Sequence, residues 1–114
     1  MDSRDLTAFV QFSSAEVRRE TVFESERLWC QVLSFERSQR IGPLGDARSD
    51  AMFTILAGEA VFQVDGRRKR LAQWGTILVP SGTRVTVTNA SVDPLVLLLV
   101  AAPPPEPEER ETPG

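Results

Sequence analysis

Short runs of apolar and β-branched residues, separated by turn-forming residues, dominate this sequence. Ala51–Leu56 is stopped by Gly58, and Thr76–Val79 is ended by Pro80. Runs of this length suit strands and are too short for typical helices, while Gly and Pro favour turns. Almost no stretch shows the 3.6-residue periodicity of an amphipathic helix. The pattern therefore predicts an all-β barrel or sandwich.

Other segments add individual strands to this prediction. Asp65-Gly66 separates two candidate strands, and Asp-Gly there indicates a tight hairpin because Gly accepts a positive φ. In Arg84–Thr88 two Val alternate with polar residues, which predicts one buried face. Ser38–Asp50 is rich in Gly, Pro, Ser and Asp and is predicted to be a loop. Further strands are expected at Thr21–Phe23, Leu28–Phe35, Glu59–Val64, Arg67–Leu71 and Leu95–Val100, with an edge strand within Leu6–Phe12.

Two blocks of the sequence resemble the two motifs of the cupin superfamily. The first motif is Gly, five residues, His-x-His, three or four residues, Glu, six residues, Gly, and Ser38–Gly58 has this spacing with Ser38 at the leading Gly. The second is Pro-x-Gly, two residues, His, three residues, Asn, and Pro80–Asn89 is similar to it. Upstream of that block, Trp74 stands where the family has Gly. The resemblance covers about Phe35 to Val100.

This resemblance implies a fold and a domain division. We expect an all-β cupin jelly-roll β-barrel, also called a double-stranded β-helix. Residues 1–102 would form a single barrel domain with a short N-terminal extension. Residues 103–114, P-P-P-E-P-E-E-R-E-T-P-G, are predicted to be a disordered Pro- and Glu-rich tail because they offer little to bury.

The resemblance also identifies four positions at which the family holds a metal with three His and one Glu. In this chain they carry Leu44, Asp46, Ala51 and Val85, and the sequence has no His at all. Imidazole is the usual nitrogen ligand for such metals, so the family's set of ligands cannot be assembled. We expect neither a metal nor another cofactor, and we interpret Asp46 as a turn-capping residue.

Three hypotheses for function remain open at this point. The first is a metal-free binding or sensing module, with Asp46 or Arg84 near the mouth of an apolar barrel. The second is an enzyme, an isomerase, an epimerase or a carboxylate–metal type binding magnesium or manganese, using Asp46, Asp50 or Glu36. The third is a structural dimer with a filled barrel. The candidate ligand-binding residues of the first hypothesis are Leu44, Asp46, Ala51, Phe53, Ile55, Val85 and Val87.

Composition and charge set the remaining expectations. Leu95–Ala102 is the longest apolar run and is too short to cross a bilayer, so we expect a soluble cytoplasmic protein that binds no membrane. The single Cys30 cannot form an internal disulfide. Arg67–Arg70 lacks interleaved aromatic residues, which argues against nucleic-acid binding, and Glu16–Glu20 suits a solvated surface. Because Leu95–Val100 is apolar on both faces, we expect a homodimer.

Overall fold

A computed structural model of the chain describes residues 1–107 and shows two antiparallel β-sheets packed face to face. Within these residues a short 3-10 helix, Leu6–Phe9, precedes the strands. The strands are β1 (Arg18–Glu24), β2 (Trp29–Phe35), β3 (Arg40–Leu44), β4 (Asp50–Ala57), β5 (Glu59–Val64), β6 (Arg67–Ala72), β7 (Thr76–Val79), β8 (Val85–Asn89) and β9 (Leu95–Ala102).

The strand order is that of a double-stranded β-helix. One sheet has the order β1-β2-β9-β4-β7 and the other has the order β3-β8-β5-β6. Apart from the β1–β2 and β5–β6 hairpins, each strand is followed by one in the opposite sheet. The predicted all-β cupin jelly-roll fold is therefore confirmed.

The inner faces of the two sheets form the main hydrophobic core. Phe53 on β4 and Phe62 on β5 meet edge to face across the sheets, with ring centroids 5.5 Å apart. Val85 is 2% exposed and Val87 is fully buried, as their alternation with polar residues predicted. Fully burying a side chain of this size contributes about 1.5–3 kcal/mol, so this layer dominates the stability of the barrel.

The predicted loop Ser38–Asp50 contains a strand that the sequence analysis missed. β3 pairs with β8 at the edge of the four-stranded sheet, with Ile41 and Leu44 buried. Pro43 is tolerated there because an edge strand needs backbone partners on one side only. The local composition favours a loop, whereas the long-range pairing with β8 makes a strand.

The predicted edge strand within Leu6–Phe12 is wrong. Asp5 caps the 3-10 helix instead, because its carboxylate accepts a hydrogen bond from the N–H of Thr7 at 2.9 Å. Phe9 and Val10 pack with the outer face of the five-stranded sheet around Val96. The N-terminal segment of the same chain therefore covers part of the outer face of β9, the strand whose two apolar faces led us to expect a homodimer.

Backbone conformation supports the alignment with the cupin motifs independently of side chains. Gly58 and Gly82, which match family glycines, have φ of 85° and 81°. Ser38 and Trp74 stand where the family has Gly, and they keep the left-handed backbone, with φ of 67° and 73°. The fold thus requires this conformation at these positions even where the residue is no longer Gly.

Asn89, the last residue of the second motif, has a structural role. Its buried side-chain NH₂ donates to the carbonyl oxygens of Phe35, Glu36 and Asp93 at 2.9–3.3 Å. Its Oδ1 accepts the N–H of Ser91 at 3.1 Å. One buried amide therefore joins the end of β2 to the β8–β9 turn.

Replacing Trp74 by Gly should stabilise the protein. The substitution removes the cost of about 1–2 kcal/mol that a left-handed backbone imposes on an L-residue. It adds a cost of about 0.5–1 kcal/mol, because Gly has more conformational freedom in the unfolded chain. Because Trp74 is 73% exposed, little packing is lost. Urea unfolding should show a gain of up to about 1 kcal/mol. As a control, Gly58→Ala should destabilise strongly, because an added Cβ would lie 2.5 Å from the oxygen of Pro94. A less stable Trp74→Gly variant would contradict this account.

Replacing Asn89 by Ala should lower the free energy of unfolding by about 3 kcal/mol, since it leaves buried carbonyl groups without a donor. Thr88→Ala, a half-buried neighbour on the same strand, should cost less than about 1 kcal/mol. Chemical denaturation of the two variants measures the difference. Equal losses would show that the Asn89 network adds nothing to strand β8.

Candidate functional site

One end of the barrel, which we call the mouth, forms where two connections meet. The β3–β4 loop and the β7–β8 turn are joined by the N–H of Gly82, which donates to the carbonyl oxygen of Asp46 at 2.9 Å. The N–H of Ser81 also donates to the carboxylate of Asp50 at 2.9 Å. These bonds fix the rim of the mouth.

A cavity of about 40 Å³ lies at the mouth, and the four positions of the family's metal ligands converge on it. Leu44, Asp46, Ala51 and Val85 all line this space, so the structure brings together the residues that the motif alignment selected. This volume exceeds the roughly 10–15 Å³ that one water molecule needs. Its apolar lining includes Trp29, Leu44, Ala51, Phe53, Val79, Pro80, Val85, Leu99, Ala101 and Pro105, and its polar lining includes Arg19, Asp46, Ser49 and Thr83.

Two of the predicted ligand-binding residues lie elsewhere. Ile55 and Val87 are completely buried in the core between the sheets and do not line the cavity. Their assignment to the binding site stays a prediction, and the lining of this cavity does not include them. Both residues point inward as expected, but large neighbours fill the barrel at their level.

The residues at the family's metal positions do not fit a metal. Leu44, Ala51 and Val85 present hydrocarbon to the cavity and have no side-chain donor atom. Within residues 1–107 no group of three or more His, Cys, Asp or Glu side chains is placed to hold an ion. Asp46 supplies one carboxylate, which is far fewer ligands than a divalent metal needs.

The carboxylate of Asp46 is engaged with the backbone. Its Oδ2 accepts the N–H of Glu106 at 2.9 Å, and its Oδ1 accepts the N–H groups of Arg48 and Ser49 at 2.8 and 3.2 Å. The bond from Glu106, followed by that from Arg48, holds the pKa of Asp46 below its usual range. Asp46 thus caps a turn, as expected, and also binds a segment distant in sequence.

That segment is residues 103–107, which we call the C-terminal strap. The hydroxyl of Ser49 donates to the carbonyl oxygen of Pro103 at 2.6 Å, and Arg48 pairs with Glu106 at 2.8 Å. Pro105 is buried and forms part of the cavity wall. The first five residues of the predicted tail are therefore placed against the mouth, which differs from the expected disorder, and the rest of that tail, residues 108–114, lies outside the described residues.

The polar end of the cavity was not predicted from the sequence. Arg19 was expected on a solvated surface, yet its side chain lines the cavity with its guanidinium 6.0 Å from the centre of the Trp29 ring. The Nε of Arg19 donates to the side-chain oxygen of Gln31 at 2.8 Å, and the Gln31 NH₂ donates to Thr21 at 3.2 Å. One feature of the sequence could have indicated this polar end. Gln31 is a polar residue two positions after Trp29, so it lies on the same face of β2.

The remaining candidates lie outside this cavity. Arg84 is exposed and donates to the carbonyl oxygen of Pro43 at 3.1 Å. Asp50 is exposed and accepts from Ser81, and Glu36 lies at the opposite end of β8 from Val85, beside Asn89. These carboxylates do not converge on one space, so the structure assembles no acid–base pair from them.

The basic segment Arg67–Arg70 forms most of β6, an exposed edge strand of the four-stranded sheet. Arg70 pairs with Glu59 on the neighbouring strand at 3.1 Å. Charged side chains at an edge discourage pairing with other sheets. This placement fits a solvated edge. In the described part of the chain, no helix has the length and hydrophobicity needed to span a membrane.

Comparison with solved structures gives the class of protein. The TT1209 protein of Thermus thermophilus is 28% identical, with a TM-score of 0.86 over 92% of this chain and 100% of that chain. A conserved Streptococcus pyogenes protein of unknown function, SPY1581, is 30% identical, with a TM-score of 0.75 over 92% and 90%. An RmlC-like cupin protein from Desulfovibrio desulfuricans is 25% identical, with a TM-score of 0.80 over 91% and 98%.

The shared fold, a double-stranded β-helix, defines a small β-barrel of the cupin type. The chain belongs to the cupin superfamily. No protein-family model matches the sequence, and no curated protein matches it either.

The hydrogen bonds to Asp46 predict a pH-dependent attachment of the strap. The pKa of Asp46 in the folded protein lies below the ordinary value of 3.8. The charged carboxylate therefore stabilises the fold at pH values above the unfolded-state pKa. This stabilisation is lost as the pH falls through the folded-state pKa. The amide NMR signals of Arg48, Ser49 and Glu106 should therefore share a titration step below pH 3.8. Asp46→Asn should abolish that step. A shared midpoint at or above 3.8 would contradict the prediction.

Proposed function

We propose that this protein is a metal-independent small-molecule-binding or sensing module whose ligand occupies the mouth cavity. One observation carries the proposal. Leu44, Asp46, Ala51 and Val85 line the same space, and three of these side chains present only hydrocarbon to it. The space at the family's metal positions is kept, while its chemistry has changed from ion coordination to apolar contact. Its volume of about 40 Å³ suits a small ligand or a small group of a larger one.

Asp46 fits this proposal better than it fits an enzyme. A general base must reach the proton that it removes, whereas both Asp46 oxygens already accept backbone N–H groups. The same bonds favour the charged carboxylate and lower its pKa, which makes Asp46 a weaker base. We therefore assign Asp46 to the rim of the site and to no catalytic step.

A homodimer is our proposal for the assembly. Met52 on β4 and Leu78 on β7 are directly opposite each other on the outer face of the five-stranded sheet, and they are 41% and 67% exposed. Neighbouring exposed apolar side chains of this size suit contact with a second copy. Native mass spectrometry of wild-type protein and of Leu78→Glu tests the dimer, since the variant should be monomeric.

We also propose that the protein is cytoplasmic, in keeping with its single, unpaired cysteine.

The binding function is tested by native mass spectrometry and metal analysis of freshly purified protein without a His tag. We expect an organic adduct on the wild-type protein and its loss in Ala51→Leu, which fills the cavity. Met52→Leu changes the adjacent residue on the outer face and should keep the adduct. A bare wild-type mass, or a stoichiometric metal that disappears in Asp46→Ala, would contradict the proposal.

A further inference from the structure

We infer that the exposed edge of β6 binds an extended acidic segment of another protein, which adds to the four-stranded sheet as a further strand. Among the strands of residues 1–107, β6 pairs with β5 and with no other. A sheet edge presents unpaired backbone N–H and C=O groups, and strand addition is a general way of binding extended peptides. No residue of β6 lines the mouth cavity, so this inference stands apart from the proposed binding function.

The turn between β5 and β6 determines which backbone groups of β6 face outward. Asp65 and Gly66 both have positive φ, of 50° and 75°, as in a two-residue type I′ hairpin. The residues that flank such a turn exchange backbone hydrogen bonds, and bonded pairs then alternate with unbonded pairs along the ladder. Lys69 therefore bonds to β5, whereas Arg68 and Arg70 direct their backbone N–H and C=O groups away from it. Two donors and two acceptors are thus available to an added strand.

Cationic side chains of β6 lie on both faces of the sheet. Arg67 and Lys69 are on the inner face, because they pair with inward residues of β5. Alternation along the strand places Arg68 and Arg70 on the outer face, and all these side chains are exposed. Arg70 pairs with Glu59, while the ion pairs found within residues 1–107 include none of the other cations of this strand. The edge therefore presents a positive charge that is mostly uncompensated.

The uniform charge of this edge selects the kind of strand that pairs with it. Pairing β6 with β6 of a second copy would bring cations against cations, and like charges on neighbouring strands are destabilising. A strand that carries Asp or Glu would instead place opposite charges across the edge, and each such pair adds to the backbone bonds. The other sheet edges lack this feature, because β3 contains Pro43, which has no N–H, β1 mixes Arg with Glu, and β7 is uncharged. The edge of β6 therefore favours an acidic partner over a second copy of this chain.

A groove beside β6 favours a peptide over nucleic acid. Its lining includes Phe62, Val64 and Ile77 together with Arg67 and Lys69. Phe62 is 1% exposed, so the groove has an apolar floor on which the inward side chains of an added strand would lie. A nucleic-acid backbone offers phosphate acceptors but no N–H donors for the outward C=O groups of the edge. A peptide strand supplies donors, acceptors and side chains together.

The experiment is an NMR titration of the ¹⁵N-labelled full-length protein with the acetylated and amidated peptide Thr-Glu-Val-Glu-Glu-Val-Glu-Thr. This sequence places Glu and Val on both faces of a strand and reads the same in both directions, so it suits parallel and antiparallel addition. One control peptide carries Gln in place of every Glu. The other carries Pro in place of both Val, which keeps the charge and removes N–H groups.

The titration is repeated with two double variants of the protein. The first, Arg68→Gln with Lys69→Gln, removes charge from β6. The second, Arg27→Gln with Arg37→Gln, removes the same charge from exposed positions outside the strands and is the matched control. The spectrum of each variant without peptide shows whether the fold is kept.

We expect the acidic peptide to shift the amide signals of Arg68 and Arg70 and to slow their hydrogen exchange, because both N–H groups become hydrogen-bonded. The exchange of the Lys69 amide, which already bonds to β5, should stay unchanged. The β6 double variant should bind the peptide at least about threefold more weakly, since it loses two cross-strand charge pairs. The matched control variant should bind like the wild-type protein. Both control peptides should bind more weakly than the acidic one.

Several outcomes would overturn the inference. Equal binding of the Pro peptide would mean attraction by charge alone, without an added strand, and equal binding of the Gln peptide would remove the preference for acids. Tighter binding of oligothymidine at Arg68 and Arg70 would assign the edge to nucleic acid. Protection of these two amides in the free protein that disappears on dilution would assign the edge to a second copy of this chain. Unchanged signals at both amides would rule out strand addition, and none of these results bears on the mouth cavity.

Discussion

The packing of the two inner sheet faces is the constraint on which the rest of this molecule depends. Each inward side chain must either fill space against the opposite sheet or find a hydrogen-bond partner, because an unpaired buried polar group is costly. Phe53 and Phe62 meet across the middle of the barrel, and Ile55 and Val87 complete this layer. The barrel is therefore solid at their level. The cavity described above lies at the mouth, beside the β3–β4 loop and the β7–β8 turn.

At the mouth, the positions that align with the family's metal ligands carry different side chains. Hydrocarbon at Leu44, Ala51 and Val85 removes the need to neutralise buried ligands and leaves a mostly apolar surface. Asp46 keeps its place at the rim, but its oxygens bind the backbone of its own loop and of the C-terminal strap. The carboxylate thus joins the β3–β4 loop to the C-terminal strap through backbone N–H groups. Arg19 contributes charge from β1, a strand that carries none of the family's metal ligands.

Several parts of this structure could be predicted from the sequence for local reasons. Strands β4, β5, β7 and β8 follow from runs bounded by Gly, Pro and Asp, and the Asp65-Gly66 hairpin follows from turn chemistry. The spacing of the motifs also selected the residues at the cavity, because spacing fixes which positions of neighbouring strands meet. The predictions that differ from the structure do so for physical reasons. The predicted loop contains β3 because β8 pairs with it. The predicted N-terminal edge strand is instead a 3-10 helix, because Asp5 caps it.

The sequence by itself determined the fold class, the inward faces of the strands and the loss of the metal-binding residues, since these depend on residue type, periodicity and spacing along the chain. Only the tertiary structure decided that Arg19 lines the cavity, that Gln31 orients it, and that Pro105 and Glu106 lie at the mouth. These contacts join residues far apart in sequence. They are set by sheet register and by the three-dimensional course of the chain, neither of which leaves a local pattern in the amino-acid sequence.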